Sequence, residues 1–128
     1  MSDMCNYLEN KIIDHVLRNI AYASPGIVYV ALLTADPGEA GDTLNEVSGG
    51  GYIRQAVTCD APIDGVTQNT AIEFPPATTA WGTITHALIM DAETGGNPLL
   101  HKALTIAKTI TTEDIVKIPL GNLTITLS

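Results

Sequence analysis

Apolar residues are concentrated in two stretches of the chain, and both predict strands that are covered on both faces. Ile27–Leu33 is apolar at nearly every position, and Thr83–Met90 carries apolar residues at both odd and even positions. Because successive side chains of a strand point to opposite faces, such stretches predict burial between two layers. Leu123–Leu127 instead alternates aliphatic residues with threonine, which predicts a strand with one face in the core and one in solvent.

Shorter alternating segments predict further strands. Two turn signals, Asp64-Gly65 and the polar run Asp91–Asn97, separate them. The spacing predicts a mainly β fold: an antiparallel, jelly-roll-like β-sandwich of about seven to eight strands, in a single domain over residues 1–128. The additional predicted strands are Tyr52–Cys59, Gln68–Phe74, Leu99–Ile106 and a hairpin over Lys108–Lys117 that turns near Thr112–Asp114.

The N-terminal segment Asp3–Ala21 predicts one amphipathic α-helix, ahead of a β region that begins near Ile27. Ser2 or Asp3 is the expected cap at its start, and Ser24–Gly26 ends it. Two interpretations stay open: the helix covers one face or mouth of the sheet, or it docks on a partner protein. Its apolar stripe consists of Leu8, Ile12, Val16 and Ile20, with Ile13 and Leu17 beside it.

Residues 34–51 predict a long loop, and loops of this length in a domain are often binding loops. Its carboxylates favour a solvated acidic loop; a calcium site is the alternative, although their spacing does not match an EF-hand. Gly49–Gly51 ends the loop and allows a sharp bend into Tyr52, because glycine tolerates left-handed backbone angles. The carboxylates are those of Asp36, Glu39, Asp42 and Glu46.

Few residues suggest chemistry. Arg54, one of two arginines, is expected at the surface; an ion pair across a subunit contact is the alternative. Trp81 is expected to anchor an edge of the core with its indole N–H hydrogen-bonded. His15, His86 and His101 have no cysteine nearby and no G-x-S-x-G motif accompanies them, which favours core or interface histidines. We therefore predict no catalytic residue, no metal site and no cofactor.

The charge of the chain limits its partners. It has 14 acidic and 6 basic residues, giving a net charge of −8. Such a surface repels phosphate backbones and anionic membranes, so we expect neither nucleic acid nor membrane as a partner. We expect no signal peptide and no transmembrane segment. Cys5 and Cys59 are too few for a disulfide framework and are predicted to be reduced thiols, as in a protein made in cytoplasm.

Four segments stand out as a set: Tyr7–His15, Val28–Pro37, Glu46–Val57 and Trp81–His86. Together they resemble a family of small structural proteins of tailed bacteriophages, whose members are labelled head decoration (cement) proteins or tail-fibre-like proteins. The resemblance extends over nearly the whole chain. Its segments are specific to the family but carry no mechanism of their own.

The resemblance implies a virion component without enzymatic activity or a small-molecule substrate. Its leading form is a cement protein on the outer surface of the head, made in the host cytoplasm, binding the major capsid protein and forming homotrimers. A tail or tail-fibre protein of the same virion is the alternative, and a small ligand-binding β domain is the third. As cement, the protein is expected to contact the shell through its helix or the 34–51 loop. The candidate contact residues are Leu8, Ile12, Val16, Asp36, Glu39, Asp42, Tyr52 and Arg54.

Overall fold

The secondary structure of the described residues is mainly β, with one helix near the N-terminus, as the sequence predicts. The computed structural model describes residues 3–119 and 124–126. All strand pairs among these residues are antiparallel. The elements are β1 (Asp3–Met4), α1 (Asn6–Leu17), β2 (Val28–Leu33), β3 (Gln55–Val57), β4 (Val66–Gln68), β5 (Ile72–Glu73), β6 (Gly82–Met90), β7 (Pro98–Ile110), β8 (Lys117–Ile118) and β9 (Thr124–Thr126).

A five-stranded sheet in the order β1-β7-β6-β2-β3 forms the centre of the fold. The predicted strands Ile27–Leu33 and Thr83–Met90 become its neighbouring members β2 and β6. Val30 and Leu32 are buried on one face of β2, while Ala31 and Leu33 are buried on the other. Both faces of the sheet centre are therefore covered, as predicted from the apolar residues at both odd and even positions of these strands.

Two short ribbons, β4–β9 and β5–β8, supplement the central sheet. They correct two predictions. The predicted strand Gln68–Phe74 is interrupted after Asn69, which bridges to Cys59 and whose buried side-chain amide donates to the carbonyls of Thr70 and Pro119. The predicted Lys108–Lys117 hairpin does turn near Thr112–Asp114, but β8 pairs with β5 instead of returning along β7. Ile72 and Phe74 thereby join the core that packs on the sheet.

Three aromatic rings fill the core beside the triple glycine. Tyr52 stacks on Phe74, and the ring of Trp81 meets both edge-on. The indole Nε1 of Trp81 donates to the carbonyl of Gly50 at 2.9 Å, so its predicted role at the core edge is confirmed. Gly49–Gly51 all have positive φ, between 61° and 78°, which confirms the predicted bend.

Helix α1 is shorter than predicted. Its cap position is Cys5, not Ser2 or Asp3, because Asp3 and Met4 pair with β7 as strand β1. The helix ends at Leu17, and Asn19 then adopts a left-handed φ of 57° that breaks the helical path. At the other end of the chain, β9 falls within the predicted Leu123–Leu127 strand, whose first and last residues lie outside the described part.

Candidate functional site

The predicted contact residues fall in three separate places: the helix, the acidic loop and a polar network next to it. In α1, Leu8 and Ile12 are half-buried, whereas Val16 is 68% exposed. The apolar stripe thus divides: Leu8 packs against the core, Ile12 is half-buried, and the second half lies in solvent. The exposed part, which we call the helix-end patch, consists of Ile13, Val16, Leu17 and Ile20, each at least 45% exposed.

Polar residues flank the helix-end patch. Among them, Arg18 pairs with Asp14 one helical turn earlier, at 2.8 Å. An exposed apolar cluster on a helix that packs its other half on a sheet is typical of a contact surface.

Among the described residues, no helix is long and apolar enough to cross a membrane.

The acidic loop folds back towards the sheet. Asp36 and Asp42 each accept a hydrogen bond from the backbone two residues later, at Gly38 and Leu44, which shapes the loop locally. The carbonyl of Glu39 accepts the backbone N–H of Asn6 at 2.8 Å and so joins the loop to the start of α1. These hydrogen bonds hold the loop in place, although the carboxylates of Asp36, Glu39 and Asp42 remain exposed.

Two histidines of the central sheet face this loop. His86 on β6 places its Nε2 at 4.0 Å from a carboxylate oxygen of Asp36, and its Nδ1 bonds the hydroxyl of Thr85. His101 on β7 lies 3.7 Å from Glu39, and its buried Nε2 has no hydrogen bond to any described residue. Both side chains are mostly buried, as expected for structural histidines.

The loop carboxylates do not converge. Across residues 3–119 and 124–126, no group of three or more His, Cys, Asp or Glu side chains is arranged to hold a metal ion. Glu46, counted with the loop carboxylates in the sequence, is committed elsewhere, since both of its oxygens bind Arg54. The other three loop carboxylates, those of Asp36, Glu39 and Asp42, are exposed to solvent.

A polar network connects two loops with strand β2. Arg54 donates to both carboxylate oxygens of Glu46 at 2.7 Å, and its Nη1 donates to the carbonyls of Ala92 and Gly95. The hydroxyl of Tyr52 donates to Glu46 at 2.7 Å and accepts the backbone N–H of Leu32 at 3.0 Å. The network therefore fastens the acidic loop and the β6–β7 hairpin to strand β2.

The network corrects the expectation that Arg54 lies at the surface. Only 7% of Arg54 is exposed, and its ion pair is within the chain. Its hydrogen bonds to Glu46 raise the pKa of the Arg54 guanidinium, against an opposing effect of burial. Burial, followed by the hydrogen bond to Glu46, raises the pKa of Tyr52. The pairing could not be predicted from the sequence, because Glu46 and Arg54 lie outside the helix and the named strands, where no regular periodicity relates two side chains.

Both cysteines are free thiols. Cys5 is fully buried, and burial, with the nearby carboxylates of Glu39 and Glu9, raises its pKa to about 11. Cys59 is half-buried, and its pKa is raised by burial and by Asp60. Neither thiol has the electropositive surroundings that make a cysteine reactive.

These features define a class: a small, mainly β protein with an acidic surface, an exposed apolar helix end and structural polar groups. A comparison with protein-family models matches residues 3–126 to the family described as Podophage GP4 fiber I protein gp80. The chain belongs to this family, and it is therefore a bacteriophage virion structural protein. A comparison with curated proteins found no match.

Proposed function

We propose that the protein is a non-enzymatic structural subunit of a phage fibre and acts through contacts with other virion proteins. The family description, which names a fibre protein, supports the fibre over the head. The same description favours a tail-fibre protein over a cement protein. The observation that carries the contact role is the helix-end patch, where four aliphatic side chains lie in solvent.

The helix-end patch supplies a physical reason for assembly. Burying a single valine or leucine side chain contributes about 1.5–3 kcal/mol, so two such residues can stabilise a contact substantially. Val16 and Leu17 are the most exposed members, at 68% and 77%. Their burial against a neighbouring subunit removes apolar surface from water without any change to the core.

Capsid decoration is the second candidate. The same patch favours it, since a cement protein was expected to contact the shell through its N-terminal helix or the 34–51 loop. In that role the partners are the major capsid protein and two further copies of this chain. The two candidates use the same helix surface, and they differ in the location of the protein on the particle.

Substitution at the helix-end patch tests the contact role. The double variant Val16→Glu, Leu17→Glu is preferable to deletion of the N-terminal segment, because deletion also removes β1 and the buried Cys5. The control is Ile63→Glu, at a residue that is 74% exposed in the turn before β4. Phage carrying each variant are purified, and the protein is quantified per particle.

We expect the double variant to fold, to accumulate in cells and to be largely missing from particles, whereas the control is incorporated normally. Equal incorporation of both variants contradicts a contact through the helix-end patch. If both variants are missing from particles, incorporation is sensitive to a charge anywhere on the surface. That result also contradicts a specific contact through the helix-end patch.

A further inference from the structure

An apolar cleft opens beside the second half of β7. It has a volume of about 380 Å³ and reaches the buried side chains of Leu32 and Ile84. Strand β7 bulges away from β6 over Leu104–Ala107, and most of this bulge lines the cleft together with Val116–Pro119. Because most of the lining side chains are aliphatic, the cleft offers a recess for an apolar side chain from outside.

Lysines surround this cleft in an otherwise acidic protein. Three of the chain's four lysines line it: Lys102, Lys108 and Lys117. A lysine packs its aliphatic stem on apolar surface and keeps its ammonium group in water, so we expect the ammonium groups at the mouth of the cleft. Lys117 has an acidic neighbour, Glu73, at 3.6 Å. Among the side chains that the structure describes, Lys102 and Lys108 form no ion pair. The cleft therefore favours an apolar group that carries negative charge beside it.

The acidic loop carries such a group at Leu44. This side chain is 82% exposed, more than any other large aliphatic side chain that the structure describes. The backbone around it is fixed, since the N–H of Leu44 donates to Asp42 at 2.8 Å and the carbonyl of Asn45 accepts the N–H of Thr34 at 3.0 Å. A side chain held in place in this way loses little conformational freedom when a partner buries it.

The charge around Leu44 is complementary to the charge around the cleft. Residues 34–51 contain four carboxylates and no lysine or arginine. Asp42, two residues before Leu44, is exposed, as are Asp36 and Glu39. None of residues 34–51, all of which the structure describes, lines the cleft of its own chain. The loop and the cleft are thus two separate surfaces, each with the apolar shape and the charge that the other lacks.

We propose that Leu44 of one copy of the chain inserts into the β7 cleft of a second copy, with the carboxylate of Asp42 near the lysine ammonium groups. The contact joins two different surfaces, so each subunit keeps one loop and one cleft free for further copies. Repeated contacts of this kind form a closed ring or an open row of subunits. The surfaces are distinct from the helix-end patch, and the proposal does not depend on the fibre assignment.

Charge also disfavours the symmetric alternatives. Two clefts that face each other bring lysine against lysine, and two acidic loops that face each other bring carboxylate against carboxylate. Like charges at short range repel, and the repulsion increases as water is removed from the contact. Of the three pairings of these two surfaces, only loop with cleft brings opposite charges together.

Sedimentation velocity of the full chain over a range of concentrations tests the proposal. We expect the native chain to self-associate, and Leu44→Asn to associate at least tenfold more weakly because it has lost the apolar side chain. The variant Lys102→Glu, Lys108→Glu should be weakened similarly. Two matched controls, Ile63→Asn at another exposed aliphatic residue and Lys11→Glu on the helix, should associate as the native chain does.

Mixing the two weakened variants distinguishes a loop–cleft contact from a symmetric one. Leu44→Asn keeps an intact cleft and the lysine variant keeps an intact loop, so an equimolar mixture should form a heterodimer and nothing larger. With ¹⁵N-labelled Leu44→Asn, addition of the unlabelled lysine variant should shift the amide resonances of residues 102–110 and 116–118. With the labels exchanged, the shifts should fall on residues 42–46.

Circular dichroism first shows that each variant is folded. If the double lysine variant is not, Lys108→Glu alone, at an exposed position, replaces it. The proposal is overturned if the native chain stays monomeric at every concentration, if Leu44→Asn associates like the native chain, or if the mixture gives no heterodimer. Association that is lost in Val16→Glu, Leu17→Glu but kept in Leu44→Asn belongs to the helix-end patch and likewise overturns the proposal.

Discussion

Arg54 and Glu46 form a two-bonded ion pair, with Nε donating to Oε2 and Nη2 donating to Oε1, each at 2.7 Å. The remaining terminal nitrogen of Arg54 donates to two carbonyls of the β6–β7 hairpin. One side chain thus joins the end of the acidic loop to a hairpin about forty residues later in the chain. The position of both loops depends on this pair.

Removal of Arg54 should destabilise the protein strongly. Arg54→Ala leaves the half-buried carboxylate of Glu46 without its cation and two carbonyls without a donor. Breaking a buried ion pair in this way costs about 3 kcal/mol or more. The measurement is urea unfolding followed by tryptophan fluorescence, since Trp81 lies in the same core.

The matched control is Arg18→Ala, which removes the exposed pair with Asp14 at the end of the helix. Because exposed pairs contribute little, we expect a loss below about 0.5 kcal/mol. Similar losses for the two arginine variants would show that the Arg54 pair does not hold the loops.

Tyr52 should make stability fall at alkaline pH. Its pKa in the folded chain is raised above the ordinary value of 10.0 by burial and by its bond to Glu46. Above pH 10 the unfolded chain loses the phenol proton while the folded chain keeps it, so the free energy of unfolding falls as pH rises. The ionisation of Tyr52 lowers the free energy of unfolding by at most about 1.4 kcal/mol per pH unit.

The variant Tyr52→Phe should be less stable at pH 7, by about 1–3 kcal/mol, because the N–H of Leu32 loses its acceptor. Its stability should also fall less steeply between pH 10 and pH 11 than that of the native chain. Tyr29→Phe is the control, since the Tyr29 hydroxyl has no hydrogen bond to the described residues. If the stability of Tyr52→Phe falls as steeply between pH 10 and pH 11 as that of the native chain, Tyr52 is not the group responsible.

Gly50 should tolerate no side chain. Its φ is +61°, and an added Cβ would lie 2.5 Å from the Thr79 hydroxyl and 3.0 Å from the indole nitrogen of Trp81. We expect Gly50→Ala to lose about 2 kcal/mol in thermal or urea unfolding. Gly49→Ala is the control for backbone strain alone, because its φ is similar and no atom lies within 4 Å. The argument fails if Gly49→Ala is as destabilising as Gly50→Ala.

The two thiols should differ in reactivity. Cys5 is fully buried and has a pKa of about 11, so about one molecule in a thousand carries its thiolate at pH 8. Cys59 is half-buried and should react first with iodoacetamide in the folded protein. Peptide mass spectrometry after timed alkylation measures both rates. Modification of Cys5 at the rate of Cys59 would contradict the burial of the helix start.

The sequence predicted the sheet centre because local pattern determines it. Apolar residues at both odd and even positions of β2 and β6 can be buried only if a layer covers each face of the sheet. The Arg54–Glu46 pair and the β5–β8 ribbon were missed for a common reason. Each depends on which distant segments meet, and neither an isolated arginine nor the two-residue strand Lys117–Ile118 carries periodic information about its partner.

The candidate contact residues also divide into features that local pattern predicts and features that depend on the fold. The stripe of α1 was correctly recognised as apolar, but its pattern does not tell which half packs on the sheet and which half, including Val16, stays in solvent. The lysines near β7 were not recognised at all. Their clustering arises from the fold, which brings Lys102 and Lys108 beside Lys117 at one cleft.

Cryo-electron microscopy of purified particles tests the central claim, that this chain is a virion subunit that works through its surfaces. The account predicts density for the protein in a fibre, with Val16 and Leu17 buried against a neighbouring subunit. Density on the head shell with the same residues buried would support the decoration role instead. Absence of the protein from intact particles, or a position in which the helix-end patch faces solvent, would contradict the account.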